Sequence, residues 1–343
     1  MKIVIVTDAW SPQVNGVVIS LARTIEQLER LGHAVQVIEP GQFRSIPCPT
    51  YPEIRLALLP GRKVARLLEQ AAPQAVHIAT EGPLGLAARR WCVKSTFPFT
   101  TSYHTRFPEY VWLRTRLPLS ISYRLVRWFH GRARFTLVAT ETLRQELATK
   151  GFRNLALWSR GVDTELFRPR APGFLADPRP IFTYVGRVAI EKSVEDFLRL
   201  DLPGTKVVVG GGPDLNMLRA KYPQVRFTGF KTGEDLACHV AAADVFVFPS
   251  RTDTFGLVQI EALACGVPIA AYPVPGPADI VRHGETGFLS EDLQQAALDA
   301  LALDRDMCRA AAGAYTWEAC TRQFLQHVEA ARPADAAATA VPT

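Results

Sequence analysis

The chain has 343 residues, 48% hydrophobic and 21% charged, enough for two ordinary domains with sizeable cores. No apolar run reaches the roughly 18–20 residues of a membrane-spanning helix, and the chain opens without a charged-then-apolar leader, so neither an integral membrane protein nor a secreted one is expected. Net charge is +6 but uneven: residues 1–170 hold 24 Lys and Arg against 12 Asp and Glu, the remainder 15 against 21, which suggests an anionic partner for the basic half.

Strand and helix signals alternate from the start. KIVIVTD is a short β-branched run, and the loop AWSPQVNG leads into VVISLARTIEQLERLG, which has helical spacing and stops at Gly32. HAVQVIEP, AVHIAT and PFTTSYHT read as further strands, VARLLEQ and LGLAARRWCVKS as helices, and LVAT and ALWSR carry the pattern to residue 160. The proline-rich FRPRAPGFLADPRP then interrupts it, so residues 1–168 read as one domain and 169–180 as a linker. The alternation resumes with IFTYVGR, KVVVGGG, VRFTGF, DVFVFPS and VPIAAYPV, giving a second domain over 181–315. A helix over 316–332 is expected to pack back on the first domain, and 333–343 is expected to be disordered. The fold class is α/β: two doubly wound, Rossmann-like parallel-sheet domains. They are expected to face each other across a cleft at the carboxyl ends of their strands, where such sheets bind ligands.

The stretch TDTFGLVQIEALACGVP (252–268) follows the strand DVFVFPS and sets Asp253 and Glu261 eight positions apart around Gly256. A helix starting near Phe255 and stopping at Gly266 leaves the amides of residues 255–258 unpartnered, with about half a positive charge. A ligand with hydroxyls at both ends and a diphosphate between them would meet both acids and those amides. The plain alternative is an N-cap for Asp253 and a surface acid for Glu261. Arg187 and Lys192, in YVGRVAIEK, fall at the mouth of the same sheet, where a diphosphate needs cations. Their alternative is a solvated loop with Glu191 pairing Arg187. Gly16, after the first strand, can offer amides from the first domain, and His104 in SYHT ends a first-domain strand. VVVGGGPD (207–214) reads as structural. DRD (304–306) lies on a polar helical stretch, and neither it nor any Cys or His spacing suggests a metal. The six scattered cysteines read as reduced thiols of a cytoplasmic protein, most of them buried.

Together, GRVAIEK, DTFGLVQIE, EALACGVP and SRGVDTELF resemble glycosyltransferase family 4, over residues 1–330. PQVNGVV, SYHTRFPEY and SRGVDTELFRP resemble its branch of bacterial α-mannosyltransferases and diacylglycerol glycosyltransferases (glycolipid synthases). The resemblance implies the GT-B fold, retention of anomeric configuration, a nucleotide-sugar donor, and no metal or other cofactor. It implies that Glu261 holds the donor's ribose hydroxyls and Asp253 contacts the sugar. The amides of Phe255, Gly256 and Leu257 face sugar and phosphate, Arg187 and Lys192 clamp the diphosphate, Gly16 lies near the phosphate, and His104 lies by the sugar. Two positions depart from the pattern. Asp253 stands where Glu is usual, and Asn15-Gly16 replaces a glycine pair, Asn being able to take the positive φ of such a loop.

The segment WLRTRLPLSISYRLVRWFHGRARF (112–135) holds six arginines and no acid, interleaved with aromatic and aliphatic residues. PGRKVAR (60–66) adds three cations. Arg114, Arg116, Arg124, Arg127, Trp128 and Arg132 are expected to meet an anionic membrane surface and a lipid acceptor. The alternative is a packed helix with a solvated basic face. No nucleic-acid module signature occurs, so no nucleic-acid partner is expected. The expected activity is hexose transfer from UDP-glucose, UDP-glucuronate or GDP-mannose to a lipid hydroxyl such as that of diacylglycerol, at the cytoplasmic face of the inner membrane. Transfer to a soluble or lipid-linked saccharide precursor is the alternative. A nucleotide-sugar epimerase or a non-catalytic nucleotide-binding protein stands behind both.

Overall fold

The structure, a computed structural model, describes residues 1–13, 15–48, 51–171 and 173–333. All but the first residue of the tail 333–343 therefore lies outside the described residues. The chain divides into two units: Met1–Ser159 joined by the chain from Trp317 on, and Arg160–Thr316.

The first unit runs β1 (Lys2–Val6), α1 (Gly16–Arg30), β2 (Ala34–Ile38), β3 (Ser45–Cys48), β4 (Tyr51–Ala57), α2 (Gly61–Ala71), β5 (Ala75–Ile78), α3 (Pro83–Lys94), β6 (Thr100–Ser102), α4 (Phe107–Thr115), α5 (Leu119–His130), β7 (Phe135–Val138), α6 (Glu141–Thr149) and β8 (Leu155–Leu157). Six strands form a parallel sheet in the order β2-β1-β5-β6-β7-β8, and β3 and β4 pair as a separate antiparallel hairpin. The branched residues of β1 alternate between two cores. Val4 and Val6 pack with Leu84, Ala88 and Cys92 of α3, and Ile3 and Ile5 with Leu21 and Leu28 of α1. Burial on both faces is why KIVIV carries no polar residue after Lys2.

The second unit runs β9 (Ile181–Val185), α7 (Val194–Leu198), β10 (Thr205–Val209), α8 (Leu215–Lys221), β11 (Arg226–Gly229), α9 (Gly233–Ala241), β12 (Val245–Phe248), α10 (Leu257–Ala264), β13 (Ile269–Ala271), α11 (Pro277–Ile280), β14 (Gly287–Leu289), α12 (Leu293–Ala300) and α13 (Arg305–Ala312). Its parallel sheet has the order β11-β10-β9-β12-β13-β14. The last helix, α14 (Trp317–Ala330), belongs to the first unit, where Cys320, Phe324 and Val328 join the core of Ile3, Ile5 and Trp158. In both sheets the strand order reverses beside the first strand, between β1 and β5 and between β9 and β12. Loops leaving the carboxyl ends of those strands border the crevice where a doubly wound sheet takes ligands.

Two expectations change. The boundary falls after Ser159 rather than after residue 168, and 169–180 is not a free linker. Arg309 of α13 donates to the carbonyls of Thr164 (3.0 Å), Phe167 (2.9 Å) and Ala264 (2.6 Å), and the Val162 N–H reaches the Tyr315 carbonyl (3.0 Å). Arg170 pairs with Glu234 (2.7 Å), Asp177 with Arg226, and Arg179 with Asp244. The prolines stop regular structure, but these side chains fasten the run to the second unit. The basic segment 112–135, in turn, is two helices, because Arg116 at φ +57° and Pro118 end α4 and open α5. All six cysteines are free thiols; four are buried, and Cys48 and Cys238 partly so.

Candidate active site

Arg187 lies in the loop after β9, and Lys192 ends the short 3-10 turn Ile190–Lys192 that follows. The glycine run after β10 shapes this loop. The Gly186 N–H bonds the Val209 carbonyl (3.0 Å), and the Val188 N–H bonds the Gly211 carbonyl (2.9 Å). A Cβ at Gly210 would overlap the Gly186 carbonyl, and one at Gly212 the Val188 carbonyl, so these loops meet backbone to backbone. Thr252 Oγ1 donates to the Glu191 carbonyl (2.7 Å), tying the 190–192 turn to the loop after β12.

That second loop carries Asp253. Its Oδ1 forms an ion pair with Lys192 Nζ, both side chains being less than a fifth exposed (16% and 18%). Its Oδ2 is buried without a hydrogen-bond partner among the described residues, as is Ser250 Oγ. Asp253 is not the N-cap of α10. Gly256 holds that place, at φ +82°, and has no side chain to accept from the first turn. The N–H groups of Phe255, Gly256 and Leu257 make no hydrogen bond among the described residues. The Phe255 ring turns inward, edge-on to Tyr315 with centroids 6.1 Å apart, so this residue offers a ligand only its peptide.

Glu261 sits on the second turn of α10, half-buried, with no hydrogen bond or counter-ion among the described residues. Burial alone pushes its carboxyl up to about 7. Such a carboxylate gains more than a solvated one from hydroxyl donors brought by a ligand. Sequence reasoning missed Ser250 and Gln259. Gln259 is fully buried, and its Nε2 donates to the Phe255 carbonyl (2.7 Å). Its signal was a polar residue at a core position within LVQIEALA.

Gly16 and His104 lie in the other unit. Gly16 is the first residue of α1, and Asn15 is its N-cap at φ −154°, not in the positive-φ region. Asn15 Oδ1 accepts from Val17 N–H and Val18 N–H, both at 3.0 Å, so two of the amides near Gly16 are already taken. Asp8, after β1, accepts from Thr80 Oγ1 (2.9 Å) and from the first-turn amides of α3, Leu84 (2.8 Å) and Gly85 (3.2 Å). Its pKa is raised, burial outweighing those bonds. His104 follows β6, partly exposed, edge-on to the buried Trp158 at 5.5 Å. The structure thus brings Arg187, Lys192, Asp253, Phe255, Gly256, Leu257 and Glu261 onto one edge of one sheet, and sets Gly16 and His104 on the corresponding edge of the other.

On α4 and α5 and the turn between them, Phe107, Trp112, Leu117, Ile121, Leu125 and Trp128 are each 38–56% exposed. Arg124 and Arg132 are exposed and have no acid partner among the described residues. Arg116 stacks on Trp112 (4.7 Å), and Arg127 donates to the Lys150 carbonyl (2.6 Å). Arg114 lies on α4, but its side chain is outside the described residues. The inner face is fastened by Arg89, which donates to the carbonyls of Trp128 and Phe129 (both 2.8 Å). Among the described residues no helix is long and apolar enough to cross a membrane. Asp304 of the DRD run is the N-cap of α13, accepting from the Asp306 N–H.

Comparison with known proteins agrees with this fold. Residues 14–166 match Glycosyltransferase Family 4, and residues 179–303 match Glycosyl transferases group 1. A GDP-mannose-dependent alpha-mannosyltransferase of Corynebacterium glutamicum is 31% identical over 366 residues, covering 95% of this chain and 88% of the relative. The alpha-monoglucosyldiacylglycerol synthase of Streptococcus pneumoniae is 26% identical, covering 90% and 80%. The sucrose-phosphate synthase of Thermosynechococcus elongatus superposes with a TM-score of 0.76 at 22% identity, covering 95% of this chain and 97% of that one, a likeness of fold. The chain belongs to glycosyltransferase family 4: it has the two Rossmann-like domains of the GT-B fold and is a glycosyltransferase that uses nucleotide sugars.

Proposed function

We propose that the enzyme transfers a hexose, with retention, from a nucleotide diphosphate sugar to a hydroxyl of a membrane lipid, diacylglycerol or a glycolipid. The observation that carries the acceptor is the outer face of α4 and α5, where exposed apolar side chains lie beside Arg116, Arg124 and Arg127, which have no acid partner among the described residues. A face of this composition lies at an anionic bilayer surface, with its aromatic and aliphatic groups at the headgroup level. The enzyme is then peripheral, on the cytoplasmic face of the inner membrane. A relative named for GDP-mannose and another named for diacylglycerol support testing GDP-mannose beside UDP-glucose and UDP-glucuronate.

Chemistry follows from the second-unit edge. Arg187 and Lys192 bind the diphosphate, Lys192 exchanging the Asp253 carboxylate for phosphate oxygens. Asp253, released, accepts from sugar hydroxyls. Glu261 accepts from the ribose hydroxyls, and the Gly256 and Leu257 amides face the phosphates. The acceptor oxygen attacks the anomeric carbon on the face the diphosphate leaves. As the carbon–oxygen bond to phosphate breaks, the acceptor's proton passes to the departing phosphate oxygen. Two cations facing that oxygen are what stabilise the charge it gains, so no metal is required.

The test offers diacylglycerol in anionic vesicles with UDP-glucose, UDP-glucuronate or GDP-mannose in turn, and reads the lipid extract by mass. A glycosyl-lipid that disappears with Leu125→Glu and Trp128→Glu, while donor hydrolysis persists, is the expected result. Product only on a soluble or lipid-linked saccharide, indifferent to vesicles, would replace the lipid acceptor with that saccharide. A requirement for divalent metal would remove the two-cation account.

A further inference from the structure

One peptide in the second unit has its direction set by a side chain that the proposed contacts do not include. Gln259 draws the Phe255 carbonyl inward through Nε2 (2.7 Å), while its own N–H bonds the Gly256 carbonyl (3.0 Å). In a trans peptide the C=O and the following N–H point in opposite directions. With the Phe255 carbonyl turned in, the Gly256 N–H points away from α10, and it has no acceptor among the described residues. Little else fits around this peptide. A Cβ at Gly256 would lie 2.7 Å from Gln259 Nε2 and 2.7 Å from Phe248, and one at Gly276 would lie 3.0 Å from the Phe255 carbonyl oxygen.

The arrangement carries a cost. Gln259 Oε1 is buried and unpartnered, and a polar atom left so destabilises the fold. Leu or Met would fill the volume and remove that orphan, but would leave the Phe255 carbonyl without the donor that fixes its direction. What the amide supplies that they cannot is the direction of the Phe255–Gly256 peptide.

We infer that Gln259 is a positioning residue for the donor: by holding the Phe255 carbonyl inward, it aims the Gly256 N–H, with that of Leu257 beside it, at the donor's diphosphate. This rests on the reading of the second-unit edge as the donor site. The role is specific to the phosphates, because the peptide it orients is at the start of α10, whereas the ribose is assigned to Glu261 on the next turn.

The experiment compares Gln259→Met and Gln259→Leu with the parent, measuring inhibition constants for UDP and GDP and for uridine and guanosine. For the base the parent prefers, the diphosphate should bind roughly tenfold more weakly in both variants, the worth of one oriented hydrogen bond to a charged group. The nucleoside constant should stay within about twofold, since no contact to it changes. Thermal stability should change little, because the orphaned Oε1 is gone but the Phe255 carbonyl loses its donor. Unchanged diphosphate affinity, or equal weakening of nucleoside and diphosphate, would overturn the role. Lys192→Ala, run alongside, separates the two readings. If it weakens diphosphate binding while the Gln259 variants do not, only the positioning role fails. If it too leaves diphosphate binding unchanged, the donor site lies elsewhere.

Discussion

At the carboxyl edge of the first sheet the orphan amides of three helices are taken by the chain's own side chains. Asn15 serves α1, Asp8 serves α3 and Thr140 serves α6. At the corresponding edge of the second sheet, α10 starts on a glycine, and among the described residues its first amides are bare, Asp253 keeps a buried oxygen unpaired and Glu261 has no partner. The two sheets share a topology but not a chemistry. A helix N-terminus becomes an anion site only where the sequence withholds the cap; it does so at α4, α7, α8 and α9 as well, but at α10 it also sets Lys192, Asp253 and Glu261 beside the bare start.

The largest test of that contrast is Lys192→Ala. If the open edge is where phosphate charge develops, kcat should fall by roughly two to three decades, the equivalent of about 3–4 kcal/mol for one preorganised donor, in steady-state assays of a protein whose circular dichroism is unchanged. A loss under about threefold would close the open edge as a reaction site. On the self-satisfied edge, Asp8→Asn should cost stability, about 1–3 kcal/mol in denaturant melts, because two amides lose a charged acceptor. The donor KM should barely move; a large rise would mean that Asp8 serves the ligand as well as α3.

Glu261→Gln should separate binding from stability. The native carboxyl titrates near 7 against an ordinary 4.5, so the folded state holds its proton longer than the unfolded chain does. Stability in the absence of donor therefore falls as pH rises from about 4.5 to about 7 and stays low above that window. Glutamine removes the penalty, so at about pH 8 the variant should melt higher than the parent while its donor KM rises roughly tenfold. A variant that melts lower would show that the carboxylate already has a stabilising partner. The smallest effect belongs to Asn15→Ala, which should lose about 1 kcal/mol of stability as a missing N-cap. If donor affinity improved instead, the first edge would also be a phosphate site, waiting behind its cap.

The sheets were legible because their strands are short, branched, buried runs: IFTYV and VFVF announce themselves without context. The hairpin β3–β4 was not, since Pro47 and Pro52 break the alternation that marks a strand. The domain boundary failed because the bonds that place residues 160–168 come from Arg309, far along the chain. Of the site, Arg187, Lys192, Asp253 and Glu261 could be picked out by their place after strands. That Lys192 already holds Asp253, and that Glu261 is alone, depends on which side chains meet across loops, and spacing does not contain it.

The route of the chain between its two units has a consequence for engineering. In the first unit the Ser159 N–H bonds Gln323 Oε1 (2.9 Å) and the Ser159 carbonyl lies 3.1 Å from Cys320 Sγ; in the second, Val162 bonds Tyr315. Departing and returning segments are thus neighbours on either side of the junction, as in domains inserted into a host with adjacent ends. Residues 160–316 form a cassette with one entrance. Exchanging that cassette for the matching piece of a relative should transplant sugar preference and leave the acceptor to the host, so that two specificities could be recombined by a pair of cuts.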